Sequence, residues 1–321
     1  MFHKIFENKS RKYILAISGG PDSMFLLDNM RQLGYNFVVA HVNYKKRQDS
    51  DLDEKIVRDY CQNYSLVFEI KSLKETDYSP KINFQSQARQ IRYVFFQKLA
   101  EKYQTKYIVT AHHYDDHLET YLLQKKKKSL VDYWGLSKKT NLDNYFILRP
   151  LLSLNKSYIY SYLSKKKISH ATDFTNKLPL YQRNIIRQKL SVLNELEKEN
   201  LEKEISEENK VLAVTKKTVE TAIKNLIISS HNLQLDKNFE YSSEVRLRLL
   251  YYWINNATNG LLQKKKKQLL KEIYKQLFIS KKKNLTIELG NNLYIFKGNN
   301  QALISPIKIY YNERKGFVKE R

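Results

Sequence analysis

Two short stretches of this chain hold residues whose types and spacing can do chemistry. The first is Ser18-Gly19-Gly20-Pro21-Asp22-Ser23, set between an apolar run and an amphipathic one. Adjacent glycines let the backbone turn tightly and aim successive N–H groups at an anion. Pro21 suits the first position of a helix, whose N-terminus adds its dipole, and Ser18 and Ser23 add hydroxyl donors. No Gly-Lys-Ser/Thr follows and GxGxxG is absent, so the loop is neither a Walker A loop nor a dinucleotide fingerprint. A loop of donors without a lysine of its own suits pyrophosphate as it leaves. Asp22 is then placed to hold magnesium on the phosphates. The plainer alternative is a glycine turn capped by serine and aspartate; the strand–loop–helix setting favours phosphate.

The second stretch is Ala111-His112-His113-Tyr114-Asp115-Asp116-His117-Leu118-Glu119-Thr120. If the helix starts near His112, then His112, Asp115, Asp116 and Glu119 recur at i, i+3, i+4 and i+7 and share one face. Such a face can bind a metal, orient an amine or exchange protons. Its oxygen-rich donors favour magnesium over zinc, with Asp22 and Asp116 as the ligand candidates. A buried cluster that only satisfies itself is the alternative. Neighbouring acids beside neighbouring histidines at a strand end argue against it.

The elements that must position these residues are legible as periodicity. Tyr13–Ile17 reads as a short buried strand, and Phe37–Val42, Leu66–Ile70 and Tyr107–Ala111 as the strands that follow it. Between them lie helical patterns from Pro21 to Gly34, from about Asp51 to Tyr64, and over Gln85–Tyr103, with Asp115–Leu123 following. Alternation of this kind predicts an α/β fold, a parallel sheet with helices on both faces. Ligands then bind outside the carboxyl ends of the strands, where Ser18–Ser23, His41–Asn43 and His112–Asp116 fall. Beyond Arg149-Pro150 the pattern turns helical, over Asn155–Lys166 and then a long charged helix over Gln182–Asn209. Further helices are expected near Val214–Ile228, Glu244–Asn255 and Leu262–Leu277, before a hairpin of Leu285–Leu289 and Leu293–Phe296 around Gly290-Asn291-Asn292. The division that follows is a catalytic domain over 1–188, a connector helix over 189–212, and a smaller, mainly helical domain over 213–321 ending in a β-hairpin.

The formal net charge of +24 over 321 residues attracts polyanions, nucleic acid before an anionic membrane. The bland reading is a lysine- and asparagine-rich composition, in which Lys125–Lys128, Lys165–Lys167, Lys264–Lys267 and Lys281–Lys283 are solvated faces. Cys61 stands alone, which excludes an internal disulfide, a CxxC redox pair and an all-cysteine metal cluster, and fits a reducing cytoplasm. No apolar run is long enough to cross a bilayer, and Met1–Lys12 has no signal-peptide apolar core.

Ser-Gly-Gly-x-Asp-Ser after a first strand resembles the PP-loop of the N-type ATP pyrophosphatases, which cleave ATP to AMP and pyrophosphate by adenylating an oxygen of the substrate. The Ala111–Thr120 stretch resembles the AHHxDDxxET signature of the lysidine synthetases within that superfamily, and is far more specific. Other stretches follow in that family's order across about Ile14–Arg187. His41-Val42-Asn43-Tyr44 resembles HxNH, with Tyr44 in place of the second histidine. Ala88–Tyr93 resembles ARxxRY, with Arg89 and Arg92 spaced to reach one anion, and Arg149–Leu152 is RPLL. Asp173–Asn176 and Arg183–Arg187 resemble the DxSN and RNxxR pair. The chain departs from the family after Thr120, where Gln124–Ser129 replaces a glycine-rich segment and only Gly135 remains nearby.

The resemblance implies ATP and magnesium as cofactors, with Ser18, Gly19, Gly20, Pro21, Asp22, Ser23 and His41 around the nucleotide. It implies free L-lysine and the isoleucine tRNA with a CAU anticodon as substrates, and a C-terminal domain that grips tRNA. Asp22, His112, Asp115, Asp116, Glu119 and Arg187 are the implied catalytic set; Arg89, Arg92, Asn176 and Arg183 would bind substrate. The rivals are another PP-loop tRNA-modifying enzyme and a non-catalytic ATP- or RNA-binding protein. Thiolases built on cysteine pairs are excluded by the solitary Cys61, and no glutaminase segment supplies ammonia for an amidotransferase.

Overall fold

The computed structural model describes residues 5–6, 8–46, 49–79, 83–142, 144–171, 182–235, 240–260, 262, 267–307, 309–312 and 316–319. Asp173, Phe174, Thr175 and Asn176, and Lys264 to Lys266, lie outside the described residues. The chain divides into two compact units, one of Met1–Lys127 with Tyr133–Ile205, the other of Lys128–Asp132 with Ser206–Arg321.

The first unit alternates strand and helix: β1 (Tyr13–Ala16), α1 (Pro21–Gln32), β2 (Phe37–Asn43), α2 (Ser50–Asn63), β3 (Phe68–Ser72), α3 (Phe84–Lys102), β4 (Tyr107–Thr110) and α4 (Tyr114–Lys126). It continues through β5 (Lys139–Leu142), β6 (Tyr145–Leu148), α5 (Lys156–Lys166), α6 (Gln182–Ser191) and the start of α7 (Glu195–Leu226). The strands form a six-stranded sheet in the order β3-β2-β1-β4-β6-β5. All neighbours pair in parallel except β5 with β6.

Side chains of a strand point alternately to opposite faces, and here both faces are covered. Leu15, Ile17, Val39, Val109 and Leu148 pack with Met24, Phe25 and Leu27 of α1, Val57 and Cys61 of α2, and Ile159 and Leu163 of α5. Ile14, Val38, Ala40, Ile108 and Ile147 pack on the other face with Phe96, Leu99 and Ala100 of α3. The runs of β1, β2 and β4 are apolar for that reason, whereas β3, at the sheet edge, is half-buried at most.

One buried polar knot binds the helices of the first face. The Asp28 carboxylate accepts from Arg31 Nη2 at 2.8 Å, Gln32 Nε2 at 2.6 Å, Tyr60 Oη at 2.5 Å and Tyr162 Oη at 2.6 Å, joining α1 to α2 and α5. Burial pushes this carboxyl up, but the hydrogen bonds from Tyr162, Tyr60 and Arg31 outweigh it and leave the group below its ordinary value.

The helix expected over Gln182–Asn209 is instead two. Asn194 Oδ1 accepts from Glu197 N at 2.9 Å while Glu197 Oε2 accepts from Asn194 N at 2.8 Å, a reciprocal cap that starts α7 afresh. From there α7 runs unbroken to Leu226, through the gap expected before Val214.

The second unit contains the remainder of α7 with β7 (Ile227–Ser229), β8 (Asn232–Gln234), α8 (Ser243–Ala257) and α9 (Lys267–Tyr274), the last leading into a π-helical turn at Lys275–Ile279. Then come β9 (Leu285–Gly290), β10 (Leu293–Gly298), β11 (Gln301–Ser305), β12 (Ile309–Asn312) and β13 (Gly316–Lys319). The expected hairpin is β9–β10, turned at Asn291 and Asn292, both left-handed, a conformation asparagine tolerates. It belongs to a wider antiparallel sheet, β7-β8-β11-β10-β9. Trp253, Leu249 and Leu250 of α8 pack with Ile287, Ile295 and Ile304 in a core of this unit's own. Among the described residues, no helix is long and apolar enough to cross a membrane.

Replacing Asp28 by Ala leaves Arg31 and two tyrosine hydroxyls without their shared acceptor. The expected loss is about 3–5 kcal/mol of unfolding free energy, read from urea unfolding of the full chain at pH 7. A loss below about 1 kcal/mol would show that the knot does not hold these helices.

Candidate active site

Strand order reverses beside β1, whose neighbours are β2 on one side and β4 on the other. The loops after β1 and β4 therefore leave the sheet at the same edge, on either side of a crevice. Both chemical stretches of the sequence occupy those loops.

In the first loop Gly19 has φ +91°, and a Cβ there would lie 2.8 Å from the Asp53 carbonyl oxygen, so α2 seats the turn too closely for a side chain. Ser23 Oγ donates to Gly20 O at 2.8 Å and Ser18 Oγ lies 3.2 Å from Ser23 Oγ, holding the two ends of the loop together. Gly20 caps α1 without a side chain, so the helix N-terminus is left to its backbone donors. At the foot of the loop the buried His41, near the end of β2, keeps Nδ1 2.9 Å from Ile17 O; Nε2 has no hydrogen-bond partner among the described residues. Burial holds this imidazole below its ordinary pKa.

The second loop differs from its expectation in one respect. α4 begins at Tyr114 with His113 as its cap: His113 Nδ1 accepts from Asp115 N at 3.2 Å, and Asp116 Oδ2 accepts from His113 N at 3.0 Å. His112 thus precedes the helix and bonds its Nδ1 with Thr110 Oγ1 at 2.8 Å. Burial pushes its pKa down to about 4, against the pull of Asp116. The expected single face also divides. Asp116 and Glu119 turn to α6, whereas Asp115 meets Lys198 of α7 at 3.2 Å.

The two loops meet at His113, whose Nε2 lies 3.7 Å from Asp22 Oδ2 and 3.5 Å from Asp116 Oδ2. Burial pushes the Asp22 carboxyl up; the His113 ring lowers it again and Asp116 raises it. One Asp22 oxygen, Oδ1, is buried without a hydrogen bond from any described residue. Asp116 is likewise pushed up by burial, but His113, His112 and Arg183 outweigh that and leave it below its ordinary value. Behind it the buried Glu119 receives Arg183 Nε on one oxygen and Arg187 Nε on the other, the latter at 2.7 Å. Both guanidinium groups also reach toward Asp116 Oδ1, at 3.8 and 3.7 Å.

Among the described residues no group of three or more His, Cys, Asp and Glu is arranged to hold a metal by itself. Magnesium asks less of a protein, because it keeps waters and is held by one or two carboxylates together with substrate phosphates. Asp22, with its orphaned oxygen, and Asp116 across the same imidazole fit that requirement.

Arg89 and Arg92 sit on α3 with different neighbours: Arg89 stacks over the Tyr93 ring at 4.8 Å, and Arg92 bonds the Tyr44 hydroxyl. Three further residues gain their surroundings only in the structure. Arg149 is buried, its Nη1 donating to Ser137 O and Thr140 Oγ1, both at 2.7 Å, and its charge bears on His112. His117 lies 3.2 Å from Glu202 Oε2. Gly135, at φ +74°, packs so closely that a Cβ would lie 2.4 Å from the His117 ring. All three lie in stretches the sequence singles out, Arg149 in RPLL, His117 in the acid–histidine stretch and Gly135 as the one glycine near the altered segment, but without a role there; Gln124 Oε1 accepts from Gly135 N at 2.7 Å.

Residues 1–195 match the PP-loop domain family. The tRNA(Ile)-lysidine synthase of Mycoplasma mycoides is 41% identical over 276 residues, which cover 84% of this chain and 67% of that protein. The tRNA(Ile)-lysidine synthase of Mesoplasma florum is 35% identical over 277 residues, covering 85% of this chain and 68% of that protein. Among solved structures, a U34-tRNA thiolase from Methanococcus maripaludis superposes with a TM-score of 0.51 at 13% identity, over 64% of this chain and 74% of that one. That likeness concerns the fold alone.

The state of His112 has a measurable consequence. Folded, it is neutral down to about pH 4; unfolded, it takes up a proton near its ordinary 6.5. Between those values the unfolded chain binds more protons, so stability falls as pH is lowered through that window and is level above it. His112→Gln is expected to flatten the urea-midpoint profile between pH 4 and 6.5. An unchanged profile would mean that His112 titrates normally in the folded chain.

Proposed function

This chain belongs to the tRNA(Ile)-lysidine synthases, ATP-dependent tRNA-modifying ligases of the PP-loop family, and from that premise we propose that it joins free L-lysine to C2 of the wobble cytidine in the CAU-anticodon isoleucine tRNA. The reaction passes through an adenylated cytidine and releases diphosphate and then AMP. The observation that carries this reading is the meeting of Asp22 and Asp116 across His113, one acid from each loop. It supports a reading in which the N-terminus of α1 binds phosphate beside groups that exchange protons.

The chemistry explains the need for both. The C2 carbonyl oxygen of cytidine is a poor leaving group until it carries a phosphate ester. Its attack on the α-phosphorus of ATP expels pyrophosphate, toward the N–H donors and hydroxyls of Ser18–Ser23. Magnesium, held by Asp22 and Asp116, would neutralise phosphate charge there. The ε-amine of lysine then adds at C2 and AMP departs with the oxygen. Lysine enters as an ammonium, so it must be oriented and shed a proton first. Asp115, Glu119 and His112 are the groups for that work. Asp115 already holds one ammonium, that of Lys198 at 3.2 Å, which supports its suitability. His112 is neutral near pH 7 and keeps a lone pair.

Arg183 and Arg187 steady the adenylate phosphate or the anticodon backbone. Each guanidinium carries five donors, and Nε serves Glu119. Arg89, Arg92 and Asn176 contact the tRNA substrate, and the second unit grips the tRNA away from the anticodon. We place the reaction in the cytoplasm, consistent with the single buried thiol, Cys61. A thiolase carrying a [4Fe-4S] cluster needs several cysteine thiolates, and this chain has one cysteine.

Incubated with ATP, magnesium, lysine and the CAU-anticodon isoleucine tRNA, the chain is expected to release pyrophosphate and to add the mass of lysine, less water, to the wobble cytidine. Asp22→Ala should abolish both readouts. Pyrophosphate release without a lysine adduct would point to a different nucleophile, and retained turnover in Asp22→Ala would remove that residue from the mechanism.

A further inference from the structure

The phosphate loop Ser18–Ser23 contains no lysine or arginine, so as a cradle for a triphosphate it offers donors and a helix dipole but no full charge. We propose that Lys156, the first residue of α5, supplies that charge from outside the loop and binds the β- and γ-phosphates of ATP and the pyrophosphate that leaves. The inference rests on the nucleotide reading of this loop given above.

Its basis is the way α5 lies along α1. The Phe25 ring meets Tyr158 at 6.0 Å and Tyr162 at 4.9 Å, both edge-on. One turn further on, Tyr162 Oη donates to Asp28 at 2.6 Å and accepts from Gln32 Nε2 at 3.0 Å. Contacts advance in the same direction along both helices, so the two run alongside with their N-termini at the same end. A step of one turn back from Phe25 reaches Asp22, and the same step back from Tyr158 reaches Asn155, the cap of α5, with Lys156 next to it in the chain. The start of α5 is tied down independently, since Leu154 O accepts from Tyr114 N, the first residue of α4, at 3.2 Å. Three helix N-termini, those of α1, α4 and α5, therefore gather around the loop.

Lys156 is exposed and has no carboxylate within ion-pair distance among the described residues; its ammonium lies 5.8 Å from the Tyr160 ring centroid. Its charge is among those that act on Asp22, together with His113, Asp116 and Arg187. Arg187 is already engaged by Glu119, so Lys156 is the mobile cation of the set. A flexible four-carbon stem ending in three donors suits a phosphate group that must be gripped and then released.

The test separates phosphate from nucleoside. By titration calorimetry on the full chain with magnesium, Lys156→Ala is expected to weaken ATP and free pyrophosphate about tenfold while AMP binds as in the unaltered chain. Lys156→Arg should retain most of the affinity. Unchanged pyrophosphate affinity in Lys156→Ala, or equal losses for ATP and AMP, would overturn the assignment and leave the enzymatic reading standing. If the unaltered chain bound neither ATP nor pyrophosphate, both would fall.

Discussion

Parallel pairing on both sides of β1 constrains everything at the site. Because β2 and β4 both run alongside β1, the chain must leave all three strands at one edge and cross back over the faces through helices. The reversal of strand order then leaves the loops after β1 and β4 facing each other with no connection packed between them. Those two loops hold the glycine turn and the acid–histidine stretch. The double burial of the sheet, with α1, α2 and α5 over one face and α3 over the other, gives the edge its rigidity.

Charge at the edge is arranged in layers rather than as one face. Nearest the loop, Asp22 and Asp116 are held apart by a single imidazole, and Asp22 keeps an oxygen without a hydrogen bond from any described residue. Behind them, Glu119 takes two arginines and so fixes α6 to α4 while aiming guanidinium groups forward. A buried carboxylate is costly unless it is paired, and the pairing here also carries cations to the place where phosphate chemistry is expected. Cap geometry separates the remaining groups. Because His113 closes the helix N-terminus, His112 stays on the strand side, and Asp115 is turned away toward α7.

The second unit stands on a different principle. Its sheet is antiparallel and its core is built around Trp253 of α8, with no buried acid or histidine among its described residues. The alternation in β9 and β10 was visible in the sequence. Of the strands that complete the sheet, β11 among them, β7 and β8 are three residues each, too short for any periodicity to declare them.

Local signals determined what could be read from the chain alone. Strands with apolar residues on both faces, the glycines of the loop and the Pro21 helix start are decided within a few residues, and all stand where the sequence places them. The Ser18–Ser23 turn does as well, because a loop's donors are a property of its own backbone. Tertiary structure decided which groups meet. Glu119 finds arginines 64 and 68 residues away, and Asp115 finds Lys198 83 residues on. The sequence pattern had offered those acids one shared face, and the cap at His113 and the packing of α6 and α7 divided it. Helical periodicity states which residues share a side of a cylinder; what lies opposite that side depends on how distant segments pack, and no local pattern encodes that.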